Sequence, residues 1–361
     1  MTFALAAAGT GGHVYPALAV ADALLDAGVA RNEIVFVGGN RLAATAVPAA
    51  GYDYLEVDIR GLKRSVAVDN LTLPPVVWRA SKRIYEEFQR RSVKAAIAFG
   101  GYISVPAAWA ARRARAQLFI HEQNAIPGLA NRLISRRAAT SFIAFPEAAA
   151  TLSRPRLVGN PLRPALAGYE RSAIRDAALE RYGLSGSCPV LGVLGGSLGA
   201  KVLNEVAERV ADAHDEHEMS ILHLSGHAHY EAVSDIAAGS AQEWKVLAFE
   251  DHMEYFYAAS DVVLSRAGAL TISELAVTGT PAVVVPYAAG SAGHQRANAA
   301  HLALAGGAEL VDEEHVDGIP ALLQQLIIDP DRRKLMASAA IEMGKPDAAR
   351  MIARALIEAV S

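Results

Sequence analysis

The sequence predicts an α/β protein built from two doubly wound domains that face each other across a cleft. Three observations carry this expectation. The chain has 361 residues, and at about 150 residues per domain that length accommodates two. Short apolar runs alternate with helix-like stretches from end to end, the pattern of βαβ units around parallel sheets. Each half opens in the same way, with an apolar run, a glycine loop and a helix: Gly9-Thr10-Gly11-Gly12 in the first half, Gly195-Gly196-Ser197-Leu198-Gly199 in the second.

Taken in order, strands are expected at residues 3–8, 34–37, 95–99, 118–121 and 141–145, then at 190–194, 220–224, 246–249, 262–264, 282–285 and 308–311. Helices are expected at 16–25, 82–91, 201–213 and 270–278. The domain boundary falls at Gly159-Asn160-Pro161-Leu162-Arg163-Pro164, where two prolines interrupt regular structure. Residues 1–160 then form one domain and 161–345 the other. A last helical stretch, 348–359, follows Gly344-Lys345-Pro346 and is expected to pack back on the first domain, so residues 346–361 belong with it.

Charge divides at the same place. The chain carries 34 Lys+Arg and 38 Asp+Glu, a net charge of −4. Residues 1–160 hold 19 basic and 11 acidic side chains, and the remainder 15 and 27, so a net +8 segment precedes a net −12 segment. The two halves therefore meet different partners. With 52% hydrophobic and 20% charged residues the composition is that of a globular protein. Cys188 is the only cysteine, which rules out an intrachain disulfide and fits a reducing cytoplasm. The N-terminal run has no basic n-region of a signal peptide. The uncharged stretch at residues 95–111 is broken by Gly100-Gly101, Ser104 and Pro106 and is too short for a membrane span, so any membrane contact is expected to be peripheral.

Glycine after a strand lets backbone N–H groups approach an anion, and the following helix adds its positive end. A phosphate cradle and a plain tight turn both fit each loop on its own. The first loop lacks the full dinucleotide spacing, and the second strand ends in Gly38-Gly39 where a ribose-binding acid is needed, which argues against a dehydrogenase. The second loop runs into Ala200-Lys201 without the spacing of a nucleotide triphosphatase P-loop. A nucleotide-sugar enzyme is the option left for two facing phosphate loops.

Seven motifs in order then resemble the MurG family of N-acetylglucosaminyltransferases. They are Gly9-Thr10-Gly11-Gly12-His13-Val14-Tyr15-Pro16, Gly100-Gly101-Tyr102, His121-Glu122-Gln123-Asn124, Gly159-Asn160-Pro161-Leu162-Arg163, residues 195–200, residues 265–274 and His294-Gln295. The resemblance implies a GT-B fold of two Rossmann-like domains, with UDP-N-acetylglucosamine as donor. The implied acceptor is the 4-hydroxyl of N-acetylmuramic acid in lipid I, with inversion at the anomeric carbon to give lipid II. It also implies a peripheral enzyme on the cytoplasmic face of the bacterial membrane, in contact with anionic lipid and other cell-wall synthesis proteins. A related transferase with another lipid or glycoside acceptor, and a catalytically weak nucleotide-sugar-binding scaffold, are the alternatives.

By this resemblance Thr10, Gly11 and Gly12 bridge donor and acceptor phosphates, Ser197 meets the diphosphate, and Glu274 accepts hydrogen bonds from the ribose hydroxyls. The segment Ala269, Leu270, Thr271, Ile272, Ser273 surrounds it, Gln295 meets the donor sugar, and Asn124 and Arg163 complete the donor set. Glu250 stands beside the base. Read locally, Thr271-Ile272-Ser273-Glu274 is also a capping box, which would fold the carboxylate back on its own helix. An inverting transfer needs a base for the acceptor hydroxyl. His13 and Glu122 are the candidates, and either can instead orient its loop or the acceptor. No Asp-x-Asp follows a strand as in metal-dependent sugar transferases, and Asp329-Pro330-Asp331 reads as a helix start, so no metal or other cofactor is expected.

Between Arg60 and Lys94 lie nine basic and three acidic residues, interleaved with an apolar run that ends at Trp78. Trp78, Arg79 and Arg83, with Tyr102 in the glycine motif, are expected to serve the acceptor and membrane face, with Trp78 in a loop ahead of a basic helix. No RNA-binding motif accompanies them, and no nucleic-acid partner is expected. Four positions depart from the family pattern. Ala8 stands where a further glycine is usual, and residues 38–43 lack an expected glutamate. Leu198 replaces a glutamine, and Glu250 replaces an apolar residue.

Overall fold

The computed structural model of the chain describes residues 1–58, 73–196, 199–213, 218–288 and 293–361. Ser197 and Leu198 of the second glycine loop lie outside the described residues, as do Arg60, Lys63, Arg64, Asp69, Leu71, His214 and His217. The chain divides into two compact units. One is Met1–Arg163 with Pro346–Ser361, the other Pro164–Lys345.

The first unit is a seven-stranded parallel sheet of β1 (Thr2–Ala6), β2 (Ile34–Gly38), β3 (Asp53–Glu56), β4 (Val93–Ala98), β5 (Gln117–Glu122), β6 (Thr140–Ile143) and β7 (Pro155–Leu157), in the order 3-2-1-4-5-6-7. Its central strand explains its own sequence. Phe3 and Leu5 enter one core layer with Val14, Val20 and Leu24 of helix Gly11–Asp26, while Ala4 and Ala6 enter the opposite layer with Ile84 and Phe88. A strand covered on both faces has no polar side to show, so it reads as an unbroken apolar run. Helix Ala348–Glu358 shares the first of these layers through Ile352, Ala353 and Leu356, none more than 1% exposed. Each large side chain buried there contributes about 2 kcal/mol.

β3 and β7 were not expected, because neither has an apolar run: their burial patterns are half-exposed and fully exposed, as befits strands at the sheet's two edges. Two helices begin earlier than their sequence indicates. Helix Gly11–Asp26 starts five residues ahead of Pro16, and helix Leu73–Arg90 includes Pro74, Pro75 and Trp78. Prolines in a first turn lose no helical hydrogen bond, so the proline pair opens this helix where it reads as a break. Trp78 therefore lies on the helix and not in a loop before it.

The second unit is a six-stranded parallel sheet of β8 (Val190–Leu194), β9 (Ser220–Leu224), β10 (Glu243–Leu247), β11 (Val262–Ser265), β12 (Ala282–Val284) and β13 (Ala308–Leu310), in the order 10-9-8-11-12-13. Leu191, Val193 and Leu264 pack against Leu203, Val206 and Val210 of helix Lys201–Asp212, which carries its apolar residues at helical spacing. In both sheets successive connections run outward in opposite directions from one adjacent strand pair, β1 and β4 in the first and β8 and β11 in the second. A crevice forms at the carboxyl ends of such a pair, which is where α/β sheets hold ligands. Among the described residues no helix is long and apolar enough to cross a membrane.

Candidate functional site

In the first unit the switch point gathers His13, Gly100, Gly101, Glu122 and the first turn of helix Gly11–Asp26. Thr10 is the exposed N-cap of that helix and makes no side-chain cap, and the first turn holds no acid. The amides of His13 and Val14 donate to the Thr10 carbonyl, whereas those of Gly11 and Gly12 have no acceptor within the helix and form the positive end of its dipole. The His13 ring lies along Gly100 and Gly101, both at positive φ. A β-carbon at Gly100 would stand 3.1 Å from His13 Nε2, so only glycine lets the imidazole settle there. Burial pulls its pKa below the usual value, against the opposing influence of Glu122 and the Ala8 carbonyl. The imidazole is thus neutral at physiological pH and free to accept a proton.

Glu122 is differently placed. It is 2% exposed, and its two oxygens accept from Asn124 N at 3.1 Å, Asn124 Nδ2 at 3.3 Å, Gly128 N at 3.0 Å and Asn131 Nδ2 at 2.9 Å. Four N–H donors occupy the lone-pair positions of one carboxylate. That geometry suits an anchor for the loop of residues 124–128 better than a base. Beside it, buried His121 has Nε2 3.0 Å from the Gly159 carbonyl and Nδ1 3.1 Å from Gln123 Nε2. The proton is assigned to Nε2, because a carbonyl can only accept. Gln123 Nε2 also donates to Phe99, and Asn160 donates to the Gln123 carbonyl. This network seats the backbone just before Arg163. Tyr102 reaches the Gly39 backbone, where a β-carbon would stand 2.7 Å from its hydroxyl.

Helix Leu73–Arg90 buries Ala80, Ile84 and Phe88 and turns Trp78, Arg79, Lys82 and Arg83 outward. Trp78 is 58% exposed, with Lys82 Nζ 5.9 Å from its ring centroid. Trp109 of helix Ser104–Ala114 is also exposed, and Arg113 lies over its ring and over Tyr85.

In the second unit the glycine loop follows β8. A β-carbon on Gly195 would lie 2.4 Å from Ala200 N, and one on Gly199 (φ +73°) would lie 2.3 Å from the Ser225 carbonyl oxygen. Both ends of the turn therefore require glycine. Across the switch point helix Ala269–Thr278 follows β11, with Gly268 as N-cap and no side-chain cap. Thr271 is inside this helix, three residues past the cap, so the capping box read from the sequence is not formed. Glu274 instead accepts from the Tyr257 hydroxyl at 2.8 Å. Ala269, Leu270, Thr271, Ser273 and Glu274 are half-buried, whereas Ile272 is in the core and can offer a ligand only main-chain atoms.

Gln295, in the first turn of helix His294–Leu304, accepts from the Tyr287 amide at 2.8 Å. Glu250 is buried and accepts from Arg181 at 3.0 Å, Tyr182 at 2.8 Å and the His252 amide at 2.8 Å. Burial works against its charge, but Arg181, the His252 amide and Tyr182 together bring its pKa below the ordinary carboxylate value. The acid at this apolar position is thus turned toward helix Arg171–Tyr182. Among the described residues, one group of side chains converges closely enough to hold a metal ion, Asp312, Glu314 and His315, and Asp312 is already paired with Arg296.

Sequence reasoning missed three residues here. Asn131 holds Glu122, Tyr257 holds Glu274, and Arg266 donates to the Val285 carbonyl and pairs with Glu313. Arg266 stands inside a quoted motif, but the other two act through tertiary placement that no local pattern announces.

The N-terminal domain model of glycosyltransferase family 28 matches residues 3–143, and the C-terminal domain model of the same family matches residues 190–352. A relative from Salinibacter ruber is 39% identical over 96% of this chain and 93% of its own, and one from Thermobifida fusca is 35% identical over 99% and 94%. Both are named UDP-N-acetylglucosamine–N-acetylmuramyl-(pentapeptide) pyrophosphoryl-undecaprenol N-acetylglucosamine transferase. The crystal structure of Acinetobacter baumannii MurG superposes with a TM-score of 0.79 at 28% identity, covering 99% of this chain and 100% of that one. Two parallel sheets with a glycine loop at each switch point, and likeness along nearly the whole length, have one conclusion: the chain belongs to the MurG family of glycosyltransferase family 28.

Proposed function

We infer that the chain transfers N-acetylglucosamine from UDP-N-acetylglucosamine to the 4-hydroxyl of N-acetylmuramic acid in lipid I, making lipid II for peptidoglycan. The observation that carries this is the near-full-length likeness to relatives named for that transfer, at 35% to 39% identity. In a single inverting displacement the acceptor oxygen bonds to the anomeric carbon as the bond from that carbon to the diphosphate breaks. The hydroxyl proton passes to His13, and the electron pair leaves with UDP. The neutral imidazole supports His13 as base, and the saturated carboxylate supports Glu122 as the anchor of Asn124.

In the second unit the loop with Ser197, the amides at the start of helix Ala269–Thr278 and Glu274 receive the diphosphate and ribose. Gln295 meets the sugar, and Glu250 serves the uracil through its main chain. The negative charge that builds on the leaving diphosphate is then met by amides and helix ends, with no step assigned to a metal. The outward face of helix Leu73–Arg90, with Trp78, Arg79 and Arg83, is read as the surface that rests on anionic lipid at the cytoplasmic face of the membrane.

Transfer from UDP-N-acetylglucosamine to a soluble-chain lipid I analogue tests the reading, with UDP-glucose and UDP-N-acetylgalactosamine as competitors. Disaccharide product that neither competitor replaces is expected. A folded protein that binds UDP and forms no product would refute it.

A further inference from the structure

Tyr15 has no assigned part in the reaction, yet it joins two pieces of the site. Its ring lies against Gly11, where a β-carbon would come within 2.8 Å of Cε2 and 3.0 Å of Cδ2. The Arg163 guanidinium carbon lies 4.4 Å from the centroid of the same ring. This is cation–π distance at a partly buried position, where such a contact is stronger than on an open surface. Arg163 follows buried Leu162 and Asn160, the latter tied to the Gln123 carbonyl, so its backbone is already seated. The Tyr15 ring lies under the head of the long Arg163 side chain.

We propose that Tyr15 is a positioning residue for the nucleotide-sugar donor: seated on Gly11, its ring holds the Arg163 guanidinium where it meets the donor. The glycine turn that receives phosphate and the arginine then form one preorganised piece. This rests on the reading of Arg163 as a donor contact. Gly11 is required for a second reason besides amide access, because any side chain there would push the ring out from under the arginine.

The test is calorimetric binding of UDP-N-acetylglucosamine to the full chain, with steady-state transfer as a second readout. Y15L is expected to raise Kd about 3- to 30-fold, the loss of one partly buried cation–π contact. KM should rise by the same factor with kcat within about twofold, as for an interaction present equally in ground and transition states. Y15F keeps the ring and should restore Kd to within about twofold of wild type. In an R163A background Y15L should add nothing, since the ring then has no cation to hold.

Equal effects of Y15L with and without Arg163, or a Y15F defect as large as that of Y15L, would overturn the proposal. If Y15L loses its fold, Y15M, which also removes the ring and leaves the glycine turn untouched, takes its place and is expected to give the same non-additivity with R163A. An R163A protein with wild-type Kd would sink the proposal by removing Arg163 from the donor site. Failure of transfer with the coupling in Kd intact would instead strike the acceptor reading alone.

Discussion

Mild acid should destabilise the second unit through one buried histidine. His223 is 0% exposed, with Nε2 2.9 Å from Asn204 Oδ1 and its ring stacked on Trp244 at 5.9 Å and 9°. Its Nδ1 is buried and makes no hydrogen bond among the described residues. Protonation would place an N–H with positive charge where nothing accepts it, and burial accordingly pulls the pKa to about 3. The unfolded chain titrates near the ordinary value of about 6.5. Between those two values the unfolded state binds the extra proton, so stability is complete above about pH 6.5 and falls as pH drops toward 3.

At pH 5 the loss is about 2 kcal/mol, set by the gap between pH and the unfolded pKa and nearly independent of how deep the native value lies. Urea midpoints at pH 7.5 and 5.0 measure it. With a slope of about 2–3 kcal/mol per molar, His223 alone should move the midpoint of its unit by about 0.7–1 M. H223Q keeps a side-chain N–H for Asn204 and cannot titrate, so its midpoint should move less between the two pH values by that amount. An H223Q protein with the same acid shift as wild type would refute the reasoning, whatever its absolute stability. His121, pulled to about 4 by burial against the help of the Gly159 carbonyl, should act with the same sign in the first unit.

Three further outcomes follow from the geometry. H13A should lower kcat by about 10²–10⁴ and leave calorimetric UDP-N-acetylglucosamine binding in place, while wild-type kcat/KM stays flat down to pH 6.5 and falls only below it; unchanged turnover would remove His13 as the base. E250Q should lower stability by about 1–2 kcal/mol, discounted because Arg181 is 40% exposed, and a thermal melt that does not move would mean the buried carboxylate contributes nothing. I352A should cost about 2–5 kcal/mol in the first unit, read by limited proteolysis of residues 1–163; wild-type resistance would show that the helix is not part of that core.

The central strands were legible because burial on both faces leaves only apolar residues, as at β1 and β8. β3 and β7 escaped notice for the converse reason, since an edge strand can be polar and short. The capping box that Thr271-to-Glu274 spells does not form, because such a box is defined by position relative to a helix start, and Gly268 starts the helix sooner. In the site, the glycine loops and their helix starts could be read locally. The Glu122 cluster could not, because its four donors come from Asn124, Gly128 and Asn131, whose approach depends on how the loop returns to β5.

The place of helix Ala348–Glu358 in the first core has a consequence for synthesis. Ile352 and Leu356 leave the ribosome after every residue of the second unit, so the unit begun first is completed last. Until then the layer around Phe3, Leu5 and Val20 lacks part of its cover, while the second unit already has its whole sequence. Released chains truncated at residue 345 should therefore protect the second unit from protease more than the first, and equal protection would show that the first unit folds without waiting.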